Sequence, residues 1–343
     1  MNQRCGLSSI AKNTLYAAMF CLTTLGASVT ATAATASATQ TLVIEPDQGL
    51  TPIYSFIQAA KSTIDMTMYE LVDTQASGLL CTAASQGIKV RVILDVNDEK
   101  SNNTAAYNQL NSCGVNVVWA WTTYEATHEK SIVIDAATSN AQAAIMTLNL
   151  TSRYYSTTRD FAVIENDAND VAAIETTFNS DYKHAKVTPP NGDDLVWSPT
   201  NSQSSLLSVI NNATQTLLVE NEEMSDSAIV SALENAAENG VQVTIVMTND
   251  DNDYADEFDD LANAGANIST YPDNSTSLYI HAKAIVADYG TSSAQAFVGS
   301  ENFSSASLTK NRELGLITTN ATILSQLETT MSNDYSGGTA WQD

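Results

Sequence analysis

The sequence predicts an α/β protein composed of two homologous halves, each a mostly parallel mixed sheet flanked by helices. Three observations support this prediction: the composition is that of a globular protein, apolar strand-like segments alternate with helical segments, and the whole pattern occurs twice. With 343 residues, 43% of them hydrophobic, the chain is long enough to bury one large or two medium cores. Two copies of one unit also predict a pseudo-twofold axis, with the functional site between the halves.

The N-terminal segment is expected to be a signal peptide. Arg4 and Lys12 precede a mostly apolar run from about residue 14 to residue 29, and small residues with A-x-A spacing follow. This pattern is typical of export, and we assign residues 1–36 to the signal peptide. A membrane anchor is disfavoured because the apolar run is short and interrupted by Thr, Ser and Gly. We therefore expect a secreted or periplasmic protein.

Without this segment the protein is strongly acidic, with 12 Lys and Arg against 39 Asp and Glu. Such a surface repels polyanions and disfavours tight binding along duplex DNA, which depends on basic side chains at several phosphates. Two cysteines remain, Cys81 and Cys113, each near the end of a predicted helix. We expect them to form a disulfide in an exported protein; two buried free thiols are the alternative.

An internal repeat organises the chain by pairing residue i with residue i + 153, as His128 and His281 show. Each half begins with a helix and a strand, continues with a helix ending at a glycine, a second strand and another helix, and closes with a hairpin. We divide the chain into an N-terminal half, residues 39–190, and a C-terminal half, residues 191–343. The segments that align are 56–70 with 209–223, 83–98 with 236–251, and 141–164 with 294–317.

The most specific repeated motif is H-x-K-x-x-x-x-D, present in "HEKSIVID" and in "HAKAIVAD". Because residues i and i+2 of a strand face the same side, His128 and Lys130 project together, as do His281 and Lys283. A return strand then ends in "TLN" or "GSEN", whose hydroxyl and amide groups can meet the same face. A single His near a Lys is usually incidental, but two copies at one offset make that explanation a poor one.

These motifs resemble the signature of the phospholipase D superfamily, in which H-x-K-x-x-x-x-D is followed by G-S-x-N and a later acid. The resemblance covers both halves, although Met146 and Thr147 stand where the family prefers Gly and Ser, and Asp160 replaces the later Glu. It implies a phosphoric diester hydrolase in which neither half works alone. The implied catalytic residues are His128, Lys130, Asn149, His281, Lys283, Ser300 and Asn302, and the supporting residues are Asp135, Asp288, Thr147, Asp160 and Glu313.

The resemblance also implies a role for each group. One imidazole attacks phosphorus to give a phosphohistidine, and the other protonates the leaving oxygen. The lysines and asparagines hold the non-bridging oxygens. In the family the nucleophile is usually the histidine of the first copy, here His128, so His281 is the expected acid. Each copy offers a carboxylate to orient an imidazole, Asp160 or Glu313, whereas the motif aspartates are expected to be structural.

No metal or cofactor is required by this chemistry. The acidic segment "NDDNDYADEFDD" has seven acids in twelve residues but lacks the order of a calcium loop, so we interpret it as a solvated surface. Trp119 and Trp121 are candidates for the mouth of the site, where they would contact lipid headgroups or bases, with core packing expected for at least one. His184 has no counterpart in the second half and is expected at the surface.

Among substrates, a phospholipid hydrolysed to phosphatidic acid is favoured, because it suits export and the scarcity of basic residues. The enzyme would be a monomer in transient contact with a membrane surface. The alternative is a secreted or periplasmic metal-independent nuclease acting on strands that enter a local basic pocket. A phosphatidyl transferase of the cardiolipin synthase type and a non-catalytic binding protein are less favoured. Half of the twelve basic residues lie in the motif segments, so we expect a positive site within a negative shell: Lys130, Arg153, Arg159, Lys283, Lys310 and Arg312.

Overall fold

The computed structural model describes residues 38–342, so the expected signal peptide lies outside the described residues. The strands are β1 (Gln40–Glu45), β2 (Thr63–Met68), β3 (Lys89–Leu94), β4 (Asn116–Trp119), β5 (Ser131–Ile134), β6 (Gln142–Met146), β7 (Thr158–Glu165), β8 (Leu195–Ser198), β9 (Thr216–Glu220), β10 (Gln242–Asn249), β11 (Asn267–Pro272), β12 (Tyr279–Ile280), β13 (Ala284–Ala287), β14 (Gln295–Gly299), β15 (Glu313–Thr318) and β16 (Thr339–Ala340). The helices are α1 (Thr51–Ala59), α2 (Thr74–Ser85), α3 (Lys100–Ser112), α4 (Ala168–Asp181), α5 (Ser202–Asn212), α6 (Ser227–Glu238), α7 (Ala255–Asn263), α8 (Ser305–Thr309) and α9 (Ala321–Gly337).

Each half contains one mixed sheet, which confirms the predicted α/β class. The first sheet has the order β1-β7-β6-β5-β2-β3-β4, and the second has the order β16-β11-β10-β9-β13-β14-β15-β8. Parallel pairing is confined to β2-β3-β4 and β9-β10-β11 along these two paths. The sheets are thus less parallel than expected, because each motif strand joins its return strand through a short loop, and such a loop can connect only antiparallel neighbours.

Three large apolar cores stack through residues 38–342. Helices α1 to α3 cover the outer face of the first sheet, and α5 to α7 cover the outer face of the second. The inner faces of the two sheets share a third core, to which α4 and α9 contribute. Ile145 of the first half and Val298 of the second, which are repeat counterparts, are both fully buried in it. This shared core holds the two halves together as one body.

Helix starts also follow the repeat. Asp73 caps α2 by accepting hydrogen bonds from the backbone N–H groups two and three residues later, and Asp226 caps α6 in the same way. Asp167 and Asn320 cap α4 and α9. A side-chain oxygen at this position satisfies N–H groups that the helix leaves unpaired, typically stabilising it by about 1 kcal/mol. The same capping chemistry therefore fixes corresponding helices in both halves.

The halves also exchange backbone hydrogen bonds next to the motif histidines. Strand β12, immediately before His281, pairs with β7 of the first half, and the His281 N–H donates to the Arg159 carbonyl over 3.2 Å. Thr127 forms the corresponding bridge with Arg312, whose carbonyl accepts from the His128 N–H over 2.9 Å. Each histidine is thus positioned by a strand of the opposite half that carries the orienting acid. Asp160 lies in β7, and Glu313 begins β15.

Two buried ion pairs reinforce this exchange. The Arg159 guanidinium lies 2.6 Å from the Asp334 carboxylate on α9, and the Arg312 guanidinium lies 2.8 Å from the Asp181 carboxylate on α4. Both arginines are at most 5% exposed. A buried guanidinium needs such a partner, because removing only one member of the pair leaves an uncompensated charge. The pairs therefore tie the terminal helix of each half to the opposite half.

The motif aspartates are structural, as expected. The Asp135 carboxylate accepts backbone N–H groups from residues 61–63, and the Asp288 carboxylate accepts those of residues 214–216. Both aspartates adopt left-handed backbone conformations, with φ of 55° and 52°. Burial opposes ionisation of Asp288, but the hydrogen bonds from the 214–216 segment lower its pKa to about 2. Each carboxylate thus locks the loop before the central strand to the end of the motif strand.

The predicted disulfide is present. Cys81 in α2 and Cys113 at the end of α3 are bonded, with their Cα atoms 5.5 Å apart. The bond closes a loop across two adjacent helices of the outer layer. Such a link stabilises the fold mainly by restricting the unfolded chain.

We predict that Asp288→Asn lowers the free energy of unfolding at neutral pH by about 2–4 kcal/mol, because it weakens several hydrogen bonds to a charged acceptor. Since the folded pKa lies below that of the unfolded chain, this contribution is present above about pH 4 and is lost as the pH falls towards 2. Urea unfolding at both ends of that range measures it. Asp251→Asn is the matched control, because Asp251 is exposed and has φ of 48°. Equal midpoints for the two variants would contradict the assigned role.

Candidate active site

A cavity of about 880 Å³ opens between the two sheets and contains both motif histidines. His128 and Asn149 reach it from the first half, and His281 and Asn302 reach it from the second. The expected convergence of the two halves is therefore seen in the structure. Each pair sits where a motif strand begins and its return strand ends. The lysines two positions after the histidines, Lys130 and Lys283, are fully buried and do not themselves line the cavity.

The carboxylates that orient the imidazoles come from the opposite half. Glu313 Oε2 lies 2.8 Å from His128 Nδ1, and Asp160 Oδ1 lies 2.7 Å from His281 Nδ1. Asp160 and Glu313 were expected as orienting acids, one from each copy, and in the structure each contacts the histidine of the other copy. The crossing follows from the exchanged backbone pairing, which aligns His128 with Arg312–Glu313 and His281 with Arg159–Asp160. Neither half contains a complete histidine–acid pair.

His128 is arranged as a neutral imidazole. Its Nδ1 faces two acceptors, Glu313 Oε2 and the Ser300 carbonyl at 3.2 Å, so the proton belongs on Nδ1 and the lone pair on Nε2. The ring meets Tyr69 edge-on, with centroids 4.5 Å apart. Burial lowers the pKa of His128; Glu313 opposes this shift, and Lys130 adds to it. The unprotonated nitrogen is therefore available at neutral pH.

His281 has a different setting. Its Nδ1 faces Asp160, and its Nε2 lies 3.6 Å from the Glu222 carboxylate, within ion-pair distance. This imidazole therefore lies between two carboxylates, whereas His128 has one carboxylate and a neighbouring lysine. Two acidic neighbours suit an imidazole that carries a proton on each nitrogen.

The two motif lysines also differ. Lys283 Nζ donates to Glu222 Oε2 over 2.9 Å and to the carbonyl of His281. Lys130 is fully buried, and within residues 38–342 its Nζ has no hydrogen-bond partner, although it lies 5.0 Å from the centre of the Tyr69 ring. Burial and the proximity of Lys283 lower the pKa of Lys130 to about 7. A buried amine without a hydrogen-bond acceptor is a binding site for an anion.

Glu222 is the site residue that sequence reasoning missed. Its Oε2 accepts from Lys283 and, over 3.3 Å, from Asn302 Nδ2, while its Oε1 accepts from the Tyr279 hydroxyl over 3.2 Å. The repeat pairs Glu222 with Tyr69, in the aligned segments "TMYE" (67–70) and "ENEE" (220–223). That difference between the halves was a usable signal, because both positions come within two residues of the end of a central strand.

Thr147 and Ser300 are fully buried and do not line the cavity. The Thr147 hydroxyl donates to Asp160 Oδ1 over 2.6 Å, which orients that carboxylate. The Ser300 hydroxyl accepts the Leu314 backbone N–H over 3.1 Å, and both side chains are fully buried. The structure thus places Ser300, which was assigned to the catalytic set, beside Thr147 among the supporting residues. Its carbonyl, rather than its hydroxyl, contacts His128.

The departure of the first half from G-S-x-N has a packing explanation. A Cβ atom at Gly299 would lie 2.5 Å from the Gly315 Cα and 2.3 Å from Glu301 Oε2, so only glycine fits there. The counterparts in the first half are Met146, Ala162 and Leu148, which are buried in the hydrophobic core. The two return strands therefore use different local packing to present the same hydroxyl and amide.

The expected positive interior is wrong. Arg159 and Arg312 are held in their buried ion pairs, and Lys310 pairs with Glu125 at the surface. The Arg153 side chain is 57% exposed and lies 3.3 Å from Glu70. The wall instead carries six acids, Glu45, Asp160, Glu222, Glu223, Asp250 and Asp273. Arg159, Arg312 and Lys310 therefore link the two halves. Arg153 lines the cavity but pairs with Glu70 of its own half, so the wall is predominantly acidic and offers no extended basic track for a polyanion.

The two tryptophans do not line this cavity. Trp119 stacks on Tyr107 with centroids 4.4 Å apart and packs against the first core, as expected for one of the pair. Trp121 stacks on His184, which is exposed, at 6.4 Å. Their proposed place at the mouth is thus wrong, because β4 is an edge strand remote from the hairpin strands that form the site. Tyrosines occupy the wall instead: Tyr69, Tyr154, Tyr155 and Tyr279.

Two further properties apply to the described part of the chain. Residues 38–342 contain no helix with the length and hydropathy needed to cross a bilayer. The acidic segment that begins at Asn249 forms a loop and most of α7. Within the described range, no three His, Cys, Asp or Glu side chains form a group suited to a metal ion.

Comparisons with known proteins are consistent with this geometry. A family model described as "Cardiolipin synthase, PLD-like domain" matches residues 53–182 and 206–335. Polyphosphate kinase from Porphyromonas gingivalis superposes with a TM-score of 0.67 at 14% identity, over 86% of this chain and 50% of that chain. This protein therefore spans half the length of that kinase. Among curated proteins, none matches this chain.

Two other solved structures share the fold over most of their own length. Phosphatidylserine synthase from Haemophilus influenzae has a TM-score of 0.65 at 12% identity, covering 86% of this chain and 85% of that chain. A yeast tyrosyl-DNA phosphodiesterase variant has a TM-score of 0.51 at 10% identity, covering 82% and 90%. At such identities the similarity shows the fold alone. The names of these three proteins refer to different reactions, so the comparisons do not identify a substrate for this chain.

We predict that Glu313→Gln lowers the kcat for hydrolysis of a soluble phosphodiester by about 10²–10⁴-fold, because the amide no longer fixes the Nδ1–H tautomer of His128. Hydrolysis of bis(p-nitrophenyl) phosphate, followed by absorbance, provides the measurement. Glu301→Gln is the matched control, since Glu301 is buried nearby and burial raises its pKa well above the usual range, which makes the amide nearly isosteric with the neutral acid. Similar rates for the two variants would contradict the role of Glu313.

Proposed function

The chain belongs to the phospholipase D superfamily, through two matches to its PLD-like domain, and we propose that it is a phospholipase D that hydrolyses phospholipids to phosphatidic acid. The observation that carries the proposal is the pair of histidines in one cavity, each oriented at Nδ1 by a carboxylate of the opposite half. Two imidazoles so fixed present Nε2 atoms to a substrate placed between them. That is the arrangement needed for a nucleophile and a proton donor on opposite sides of phosphorus.

In the proposed first step, His128 Nε2 attacks phosphorus and forms an N–P bond. The bond from phosphorus to the headgroup oxygen breaks, and its electron pair stays on that oxygen, which takes a proton from His281. The surroundings support this division, because His128 is buried next to Lys130 whereas His281 lies between Asp160 and Glu222. The products of this step are the free headgroup and a phosphatidyl-histidine.

In the second step, His281 takes a proton from water as the water oxygen attacks phosphorus. The N–P bond breaks, His128 regains its lone pair, and phosphatidic acid leaves. Lys130 and Asn149 from the first half, with Lys283 and Asn302 from the second, are placed to hold the non-bridging oxygens as charge develops. Lys130, fully buried without an acceptor among the described residues, supports the binding of an anion at this point.

A lipid is favoured over nucleic acid by the charge of the cavity wall. Six acids line it. Arg153 also lines it and lies 3.3 Å from Glu70, whereas Arg159 and Arg312 are held in buried ion pairs. Strands of nucleic acid need several basic contacts to offset their charge, and this wall would repel their flanking phosphates. A phospholipid brings a single phosphodiester. The Cys81–Cys113 bond supports the further proposal that the protein is exported to an oxidising compartment.

The proposal is tested by assaying the purified protein, in excess EDTA, against phospholipid vesicles and single-stranded DNA in parallel. We expect release of headgroup and phosphatidic acid from the vesicles and no cleavage of the DNA, with rates unaffected by the chelator. Since the proposed steps use only protein side chains, a loss of activity that a divalent ion restores would contradict the mechanism. Cleavage of DNA with inert vesicles would instead establish the nuclease. A phosphatidyl product formed with an added alcohol would identify transfer.

We predict that His128 carries the covalent intermediate. With His281→Ala and a p-nitrophenyl phosphodiester, whose leaving group needs no proton, His128 should still become phosphorylated, and turnover should stall at that stage. Peptide mapping by mass spectrometry after an acid-free quench locates the modification. The companion variant His128→Ala should give no adduct. An adduct on His281 in that companion variant would reverse the two roles.

A further inference from the structure

The carboxylate of Glu222 sits where the second half should hold a substrate phosphate. Its Oε2 accepts from Lys283 Nζ at 2.9 Å and lies 3.6 Å from His281 Nε2. It also accepts from Asn302 Nδ2 at 3.3 Å, although the shorter bond from that amide, 2.9 Å, goes to Glu223 Oε1. A lysine, an asparagine amide and an imidazole are the groups that the motif provides for a non-bridging phosphate oxygen. Glu222 therefore gives these donors an anion from the protein itself.

The first half has no such internal anion among the described residues. The repeat places Tyr69 opposite Glu222, and its ring lies 5.0 Å from Lys130 Nζ, which has no hydrogen-bond acceptor within residues 38–342. One half of the phosphate site is thus open, and the other half is occupied. A phosphate bridging Lys130 and Lys283 must displace the Glu222 carboxylate.

The displaced carboxylate stays in the cavity. Glu222 lies within a wall formed by Tyr279, Glu223, Asp250 and Asp273, and its side chain is 24% exposed, so it can turn away from Lys283 only towards this acidic surface. There it faces the space beside His281, where the proton donor meets the leaving group. A phosphate and four carboxylates in this space repel one another unless a cation joins them.

We propose that Glu222 is a specificity-determining residue. Its carboxylate occupies the phosphate position of the second half and is displaced most readily by substrates whose leaving group carries a positive charge. The phosphate replaces the carboxylate on Lys283, and the substrate's ammonium group then neutralises Glu222 among the tyrosines of the wall. A substrate with a neutral or anionic leaving group also displaces Glu222 but supplies no positive charge to replace the lost contact of its carboxylate with Lys283. The chemical class favoured is a phosphodiester of an amino alcohol, as in a zwitterionic phospholipid.

The preference for a cationic leaving group rests on the proposed function. The claim that Glu222 occupies the phosphate position does not depend on that function. The experiment therefore has two arms. The first measures binding of inorganic phosphate by titration calorimetry and needs no turnover. The second compares hydrolysis of dihexanoyl phosphatidylcholine and dihexanoyl phosphatidylglycerol below their micellar concentrations, so that the headgroup is the variable and no membrane surface contributes.

In the first arm, Glu222→Gln should bind phosphate about tenfold or more tightly than the unsubstituted protein, because the competing charge is gone. Glu238→Gln, which removes an exposed acid at the end of α6, should leave the affinity unchanged. Glu222→Asp keeps the charge on a side chain one methylene shorter. Its phosphate affinity should lie between those of the unsubstituted protein and Glu222→Gln. Equal phosphate affinity in the unsubstituted protein and both Glu222 variants would overturn the proposal.

In the second arm, the unsubstituted protein should prefer the choline headgroup, and Glu222→Gln should reduce the ratio of kcat/KM values by about tenfold, mainly by accelerating hydrolysis of the glycerol lipid. An unchanged ratio together with tighter phosphate binding would overturn the specificity role. If neither lipid is hydrolysed but bis(p-nitrophenyl) phosphate is, the proposed lipid function fails. The phosphate arm then still decides whether Glu222 occupies the site.

Discussion

Each motif imidazole is held by a carboxylate that the other half of the chain supplies, and the remaining architecture depends on this exchange. Glu313 reaches His128 and Asp160 reaches His281 because the backbone beside each histidine pairs with the strand that bears the opposite acid. One residue earlier on those strands, Arg159 and Arg312 form their own crossed ion pairs. A small rotation of one half would break all of these contacts together. The shared core between the sheets prevents that rotation.

The exchange is symmetric, but the chemistry it supports is not. Tyr69 and Glu222 occupy equivalent positions, and they give the two histidines opposite surroundings. One imidazole is placed to be neutral next to a lysine without an acceptor in residues 38–342, and the other lies between two carboxylates. A double displacement needs a nucleophile on one side of phosphorus and a proton donor on the other. The difference between Tyr69 and Glu222 at one repeated position is enough to give the two histidines these different roles.

The sequence alone predicted the two halves and the bonded cysteines, and the structure confirms both. It also picked out the motif histidines and their acids, which the structure brings into contact. All of these depend on spacing within one half or on a constant offset between halves. The direction of the exchange could not be predicted, since an acid 32 residues after each histidine can serve either copy until the halves are packed. The same limit applies to Arg159 and Arg312, whose charges suggested a basic pocket. Their buried partners lie on helices of the opposite half, Asp334 on α9 and Asp181 on α4.

The most direct test of the crossed pairs is the nitrogen-15 NMR spectrum of histidine-labelled protein, in which three residues give signals: His128, His184 and His281. We expect His128 and His281 each to show a proton on Nδ1 that is shifted downfield by its carboxylate acceptor. Glu313→Gln should abolish the shift for His128 alone, and Asp160→Asn should abolish it for His281 alone, with His184 unchanged in both. If Glu313→Gln altered His281 and left His128 unchanged, each half would orient its own histidine, and the crossed arrangement of acids and imidazoles would be wrong.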